Sequence, residues 1–155
     1  MVNDGAFAAP SLLRRLTAML YDLLLVVAVV AGVLALALVV QVKLLDSADH
    51  VLHPAVTQAL TALSVYGFFI VFWLVDGQTL GMRAWRIKLV DFNGEPPTLG
   101  KAVLRCCGAT LSAASLGLGY LWCLVDRHNR YWHDYLSRTE LVLLPPRTRE
   151  TGEAT

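Results

Sequence analysis

Charge is what this sequence has least of. Asp, Glu, Lys and Arg make up 16% of its 155 residues, against about 25% in an ordinary soluble domain. Beside a hydrophobic share of 56%, that deficit excludes a water-soluble globular chain. No run of Lys or Arg exceeds two residues and the net charge is +1, so the basic footprint of a nucleic-acid binder is missing. Cysteine is scarce as well. Cys106, Cys107 and Cys123 form neither a zinc spacing nor an even disulfide set, and adjacent cysteines seldom bridge because the geometry is strained. They read as small apolar packing residues, with acylation near the membrane surface as the lesser alternative. There is no nucleophile elbow, phosphate loop or metal cluster, and three hydrophobic segments hardly provide a cleft, so no enzyme, metal or cofactor is expected.

What remains is apolar and long. Leu23 to Val40 is a run of eighteen apolar residues, about 27 Å of helix, close to the hydrocarbon thickness of a bilayer. Ala55 to Val75 adds twenty-one uncharged residues, a second full span. Arg14-Arg15 before the first run resembles an export signal, but Asp22 interrupts the approach and the run exceeds the roughly 7–15 residues of a signal core, so an uncleaved anchor is expected. Residues 1–11 read as a disordered arm and Ser11 as a helix cap. Leu12 to Leu20 suits a helical turn or two at the interface, ahead of the span proper. Gln41 to His53 reads as a loop, in which His50 and His53 lack the further ligands of a metal site. On the second span Thr57, Thr61 and Ser64 share a face with Gln58 beside them; helix packing accounts for this, and a water-lined path is the alternative.

The segment from Asp76 to Gly100 is the polar heart of the chain. Trp85, Ile87 and Leu89 alternate with Arg86, Lys88 and Val90 as in a short surface strand, Asn93-Gly94 signals a tight turn, and Pro96-Pro97 prevents a long partner strand. Thr98 then caps a new helix. Val103 to Val125 is apolar apart from Arg105 and is broken by Gly117 and Gly119. It is either a third span or a re-entrant hairpin with arms at Val103 to Ser115 and Leu118 to Val125. The charges favour the hairpin. Lys and Arg number two in the amino arm, one in the first loop and four in the second loop, and five arginines follow Val125; the positive-inside rule puts the amino end, the second loop and the tail together in the cytoplasm. Trp122, Tyr131, Trp132 and Tyr135 suggest an aromatic belt at the headgroups. The expected fold is thus an all-α membrane protein of two transmembrane helices plus a broken third hydrophobic segment, with a short β-like surface segment. The membrane domain covers residues 12–144 and a disordered tail 145–155.

Several motifs, in order, carry a resemblance. Arg15 and Asp22 within Arg-Leu-Thr-Ala-Met-Leu-Tyr-Asp, the run Gly77 to Arg83, Ile87 to Asp91 with Asn93-Gly94, then Arg105, then Trp132-His133-Asp134 with Thr139, resemble the RDD family of bacterial membrane proteins, named for one arginine and two aspartates. The resemblance covers about residues 10 to 143. Tyr131 stands where a glycine is more usual, and Ser137-Arg138 replaces a small pair. Asp134 is carried as the second signature aspartate, and Asp126 as its alternate. The resemblance implies the bacterial inner membrane, with Asp76, Gln78, Thr79, Gly81, Trp132 and His133 as secondary signature positions.

A carboxylate inside a bilayer needs a partner. For Asp22 the expected one is Arg105, with Arg15 second. Two functions follow. Arg15, Asp22, Arg105, Asp126 and Asp134 could serve a subunit of an ion or small-solute transporter, or they form structural ion pairs in a membrane adaptor or assembly module. A chain this short encloses no path alone, so the partners expected are the bilayer and a second copy or another membrane protein.

Overall fold

A computed structural model describes residues 8–44, 51–127 and 130–145. Residues 1–7 of the expected arm, His50 of the first loop and residues 146–155 of the expected tail lie outside them.

The first apolar run belongs to one helix, α1 (Leu12–Leu44), of 33 residues. The expected interfacial turns, Leu12 to Leu20, are the first part of this same helix. No proline interrupts residues 12–44, so the i to i−4 hydrogen-bond ladder has no reason to break. At 1.5 Å per residue the helix is about 50 Å long, longer than the roughly 30 Å hydrocarbon core. Asp22 therefore lies ten residues inside a helix.

Helix α2 (Pro54–Val75) starts with Pro54 at a position where no amide is needed, and His53 Nδ1 accepts the Ala55 N–H at 3.2 Å. His53 is thus a cap. The Thr57 and Ser64 hydroxyls donate to the His53 and Leu60 carbonyls of the same helix, so this polarity is satisfied locally. Only 6% of the most apolar window of either α1 or α2 is buried, an open apolar surface consistent with a bilayer environment.

The third hydrophobic segment is broken, as its glycines imply. Helix α4 (Leu99–Ala114) starts four residues before the expected arm, and Thr98 stands at its cap without a side-chain capping bond. Leu116 and Gly117 both have positive φ, and the short helix α5 (Leu118–Leu121) leads into a 3-10 turn at Trp122–Leu124. The two arms meet at 106°, and neither reaches the roughly 17 residues a span needs. Gly119 has a different task from the one expected: it is not part of the bend but lies inside α5, where a Cβ would overlap the Ser112 side chain.

Between α2 and α4 lie the one-turn helix α3 (Leu80–Ala84) and the strand β1 (Ile87–Asp91). The alternation holds only at its centre: Ile87 and Leu89 are fully buried and Lys88 half-buried, whereas Val90 is buried too and Trp85 is exposed. The partner strand is β2 (Thr139–Leu143), antiparallel in the register Ile87↔Leu143 to Asp91↔Thr139. It follows the helix α6 (Trp132–Ser137), and nothing near β1 in sequence announced it. Asp91 closes the turn after β1 by accepting the Asn93 and Glu95 amides at 2.8 and 2.9 Å. Its other oxygen takes Lys101 Nζ at 2.8 Å, which holds the carboxyl below its usual pKa. Two backbone bonds extend the assembly, from Leu143 N–H to the Ala8 carbonyl and from Leu144 N–H to the Arg86 carbonyl.

The protein core gathers at one end of the long helices. Ala18 of α1, Trp73 of α2, Met82, Ile87, Leu89, and Ala102 and Cys106 of α4 form it, with Phe69, Ile70 and Leu141 against it. Cys123 is also buried, whereas Cys107 is exposed.

Candidate functional site

Arg15, Asp22, Arg105 and Asp134, carried from the resemblance, lie buried at that end. Asp22 is 3% exposed, and each of its oxygens accepts one donor from the segment after α2: Thr79 Oγ1–H at 2.5 Å and Gly81 N–H at 2.9 Å. The run Gly-Gln-Thr-Leu-Gly explains itself residue by residue. Gly77 has φ +69 and its carbonyl accepts Leu89 N–H at 2.7 Å. Gln78 donates to the Ile87 carbonyl. Thr79 caps α3 by accepting Met82 N–H while donating to Asp22. At Gly81 a Cβ would overlap the Ala18 carbonyl oxygen and lie 2.8 Å from Asp22 Oδ1. The run docks α3 on α1.

The expected pairing of Asp22 with Arg105, or failing that with Arg15, is therefore corrected. Neither guanidinium is within ion-pair distance of Asp22 among the described residues. A hydroxyl and an amide supply the donors its burial demands. Arg105, 4% exposed, belongs to the other aspartate: Nη1 donates to Asp134 Oδ1 at 2.5 Å and to Thr139 Oγ1 at 2.8 Å. Asp134 Oδ2 accepts Tyr131 N–H at 2.7 Å, and Ser137 joins Thr139 at 2.7 Å. One buried pair thus holds α4, the start of α6 and the start of β2. Gly108 lets α6 approach α4, since a Cβ there would lie 2.8 Å from that of His133.

Arg15 is equally buried but differently served. Nε donates to the Pro10 carbonyl at 3.0 Å, and the guanidinium lies over the Tyr131 ring at 4.9 Å. Tyr131 is 3% exposed, so the expected belt loses it, while Trp122, Trp132 and Tyr135 stay exposed. Its size explains the departure from glycine, for the ring fills the space between Arg15 and His133, stacked 5.0 Å away. Burial pushes His133 down to about 3, with Arg105 adding to the shift. A folded-state pKa below the unfolded value near 6.5 means that the unfolded chain binds the proton first. Stability is then full above about pH 6.5 and falls as pH drops towards the folded value, by up to about 1.4 kcal/mol per pH unit. Denaturant midpoints in micelles at pH 7 and pH 5 are expected to show that loss, and His133→Phe, which keeps a ring and cannot titrate, to flatten it. Asp91, its folded pKa depressed, stays out of this window because its contribution is lost only at more acid pH.

These residues wall a cavity of about 470 Å³ between α1, α2 and α4. Arg15, Asp22, Trp73, Arg105, Tyr131 and His133 line it together with apolar side chains. Asp126 lies apart from it, accepting Arg130 N–H at 2.9 Å and Tyr135 Oη–H at 2.8 Å. Asp76, at the end of α2, makes an exposed bridge to Arg83. Arg130 pairs with Glu140 beside the sheet. Sequence reasoning missed the roles of Tyr131 and Trp73 at the site. The only available signal was their closeness to signature positions.

No group of three or more His, Cys, Asp or Glu suited to a metal occurs among the described residues. No curated protein and no solved structure matches the chain significantly. A family model does match, that of the RDD family, over residues 9–138. The arginine and aspartates gathered at this site lie within that match, and the chain belongs to the RDD family.

Proposed function

We propose that this chain is a multi-pass module of the bacterial inner membrane that acts as an adaptor or assembly unit, with Asp22, Arg105 and Asp134 serving as internal struts. The observation that supports this is that the acids are already engaged. Both oxygens of Asp22 hold donors from the segment after α2, and both oxygens of Asp134 hold donors from α4 and α6. A carboxylate that carries a cation or relays a proton works by exchanging such partners along a path, whereas Asp22 joins α1 to the second loop and Asp134 joins α6 to α4 through Arg105, its bond to the Tyr131 amide being a local helix cap.

The amino end, second loop and carboxy end are assigned to the cytoplasm. The positive-inside rule supports this, and so do the 106° bend and the backbone bonds linking Ala8, Arg86 and residues 143–144. With two long spans and a bent pair, the module meets its partner, a second copy or another membrane protein, within the bilayer.

Purified protein in sealed vesicles tests the reading. The expected result is no ion-dependent proton flux, with Asp22→Asn lowering folded yield and changing nothing else. Flux that Asp22→Asn abolishes at normal yield would replace the adaptor with a transporter subunit.

A further inference from the structure

We propose that the cavity between α1, α2 and α4 binds an anionic amphiphile, its single carboxylate or phosphate held by Arg15 and its hydrocarbon chain lying along the cavity. The site stands apart from the adaptor reading, since it uses Arg15 and the cavity wall and none of the paired acids.

Its volume, about 470 Å³, is that of a small-molecule site, about 300–1,000 Å³. The wall supplied by Ala62, Val65 and Phe69 of α2 and by Ala109 and Ala113 of α4 is apolar. Ala62 and Ala113 are exposed, on helices whose apolar faces meet lipid, so a chain enters from the bilayer.

Among the described residues, three buried side-chain atoms have no hydrogen-bond partner: Arg15 Nη1, Trp73 Nε1 and His133 Nδ1. All three residues line the cavity and are more than nine-tenths buried. They belong to one continuous chain of contacts. Trp73 lies under Arg105 at 5.5 Å, Arg105 pairs with Asp134, and Asp134 lies 3.9 Å from His133. His133 stacks on Tyr131, and Tyr131 lies under Arg15. Arginine and tryptophan can only donate, and neutral histidine donates from Nδ1 in one of its tautomers.

The charge balance points the same way. Arg105 has Asp134, but no carboxylate among the described residues stands within ion-pair distance of Arg15. A buried guanidinium without an anion is costly. A soluble anion answers the donors and not the apolar wall; a hydrocarbon answers the wall and not Arg15. An anionic amphiphile answers both.

The full chain in phosphatidylcholine nanodiscs is titrated with palmitate, with phosphatidylglycerol and with inorganic phosphate, and bound ligand is counted by native mass spectrometry. Palmitate or phosphatidylglycerol is expected to bind at one per chain, and the better of the two identifies a free carboxylate or a phospholipid as the source. Arg15→Gln should weaken binding by about tenfold to a hundredfold, the range for losing a charged hydrogen bond. Ala62→Phe, at an exposed position that leaves Arg15 intact, should block the cavity and weaken binding as much in a chain that still folds. The proposal is overturned if neither amphiphile binds above the phosphatidylcholine background. It is equally overturned if Ala62→Phe or a folded Arg15→Gln binds like the wild type, or if inorganic phosphate displaces the amphiphile.

Discussion

Replacing Arg105 by glutamine is expected to lower stability in micelles by about 3–5 kcal/mol, the cost of leaving one member of a buried ion pair alone. Asp134 is 1% exposed, and without Arg105 its one remaining hydrogen-bond donor among the described residues is the Tyr131 amide. Thr139 loses its guanidinium donor at the same time, so the start of β2 comes loose from α4. The double variant Arg105→Met with Asp134→Leu should recover most of the loss, because removing both charges leaves neither uncompensated. The measurement is a double-mutant cycle on denaturant midpoints, and strictly additive losses would sink the pair as a strut. The same cycle run on Asp22→Asn and Arg105→Gln should be additive, since those two residues share no bond.

The second large effect is expected at Gly81. Alanine there forces a methyl into the Ala18 carbonyl and the Asp22 carboxylate, an overpacking cost of about 1–3 kcal/mol, and disturbs the amide bond to Asp22. Gly32 and Gly67 are the controls. Each lies inside a long helix where an added methyl would meet nothing within 4 Å among the described residues, so alanine there removes a glycine penalty and should stabilise by about 0.5–1 kcal/mol. One chemical change thus has opposite signs at different helix positions. Equal effects at Gly81 and Gly32 would mean that α3 does not dock on α1.

What the sequence made legible follows from local physics. Two uncharged runs long enough to cross a bilayer need no tertiary knowledge, and positive φ at Gly117 answers a break that the chain advertises. The Asn93-Gly94 turn and the alternation in β1 are local for the same reason. Pairings were not legible. Thr79 and Gly81 reach Asp22 across 57 and 59 residues, and charge alone favoured an arginine there. Attraction at a distance ranks partners by charge, whereas a buried carboxylate is satisfied by whichever donors the packing brings within reach. Strand β2 stayed hidden because Thr-Glu-Leu-Val-Leu carries little pattern over five residues, and its partner is far away in sequence.

Buried struts fasten α1 to the second loop and the carboxy segment to α4, and the sheet joins loop and carboxy segment, which the proposed topology puts on one side of the membrane. The most direct measurement is cross-linking of Lys88→Cys with Val142→Cys, directly paired across the sheet, in a chain whose three native cysteines are replaced by alanine. In intact membranes a short bis-maleimide should join the pair within one chain, and an impermeant thiol reagent added from the periplasm should label neither position. Periplasmic labelling at 142, with no intramolecular cross-link, would contradict the account.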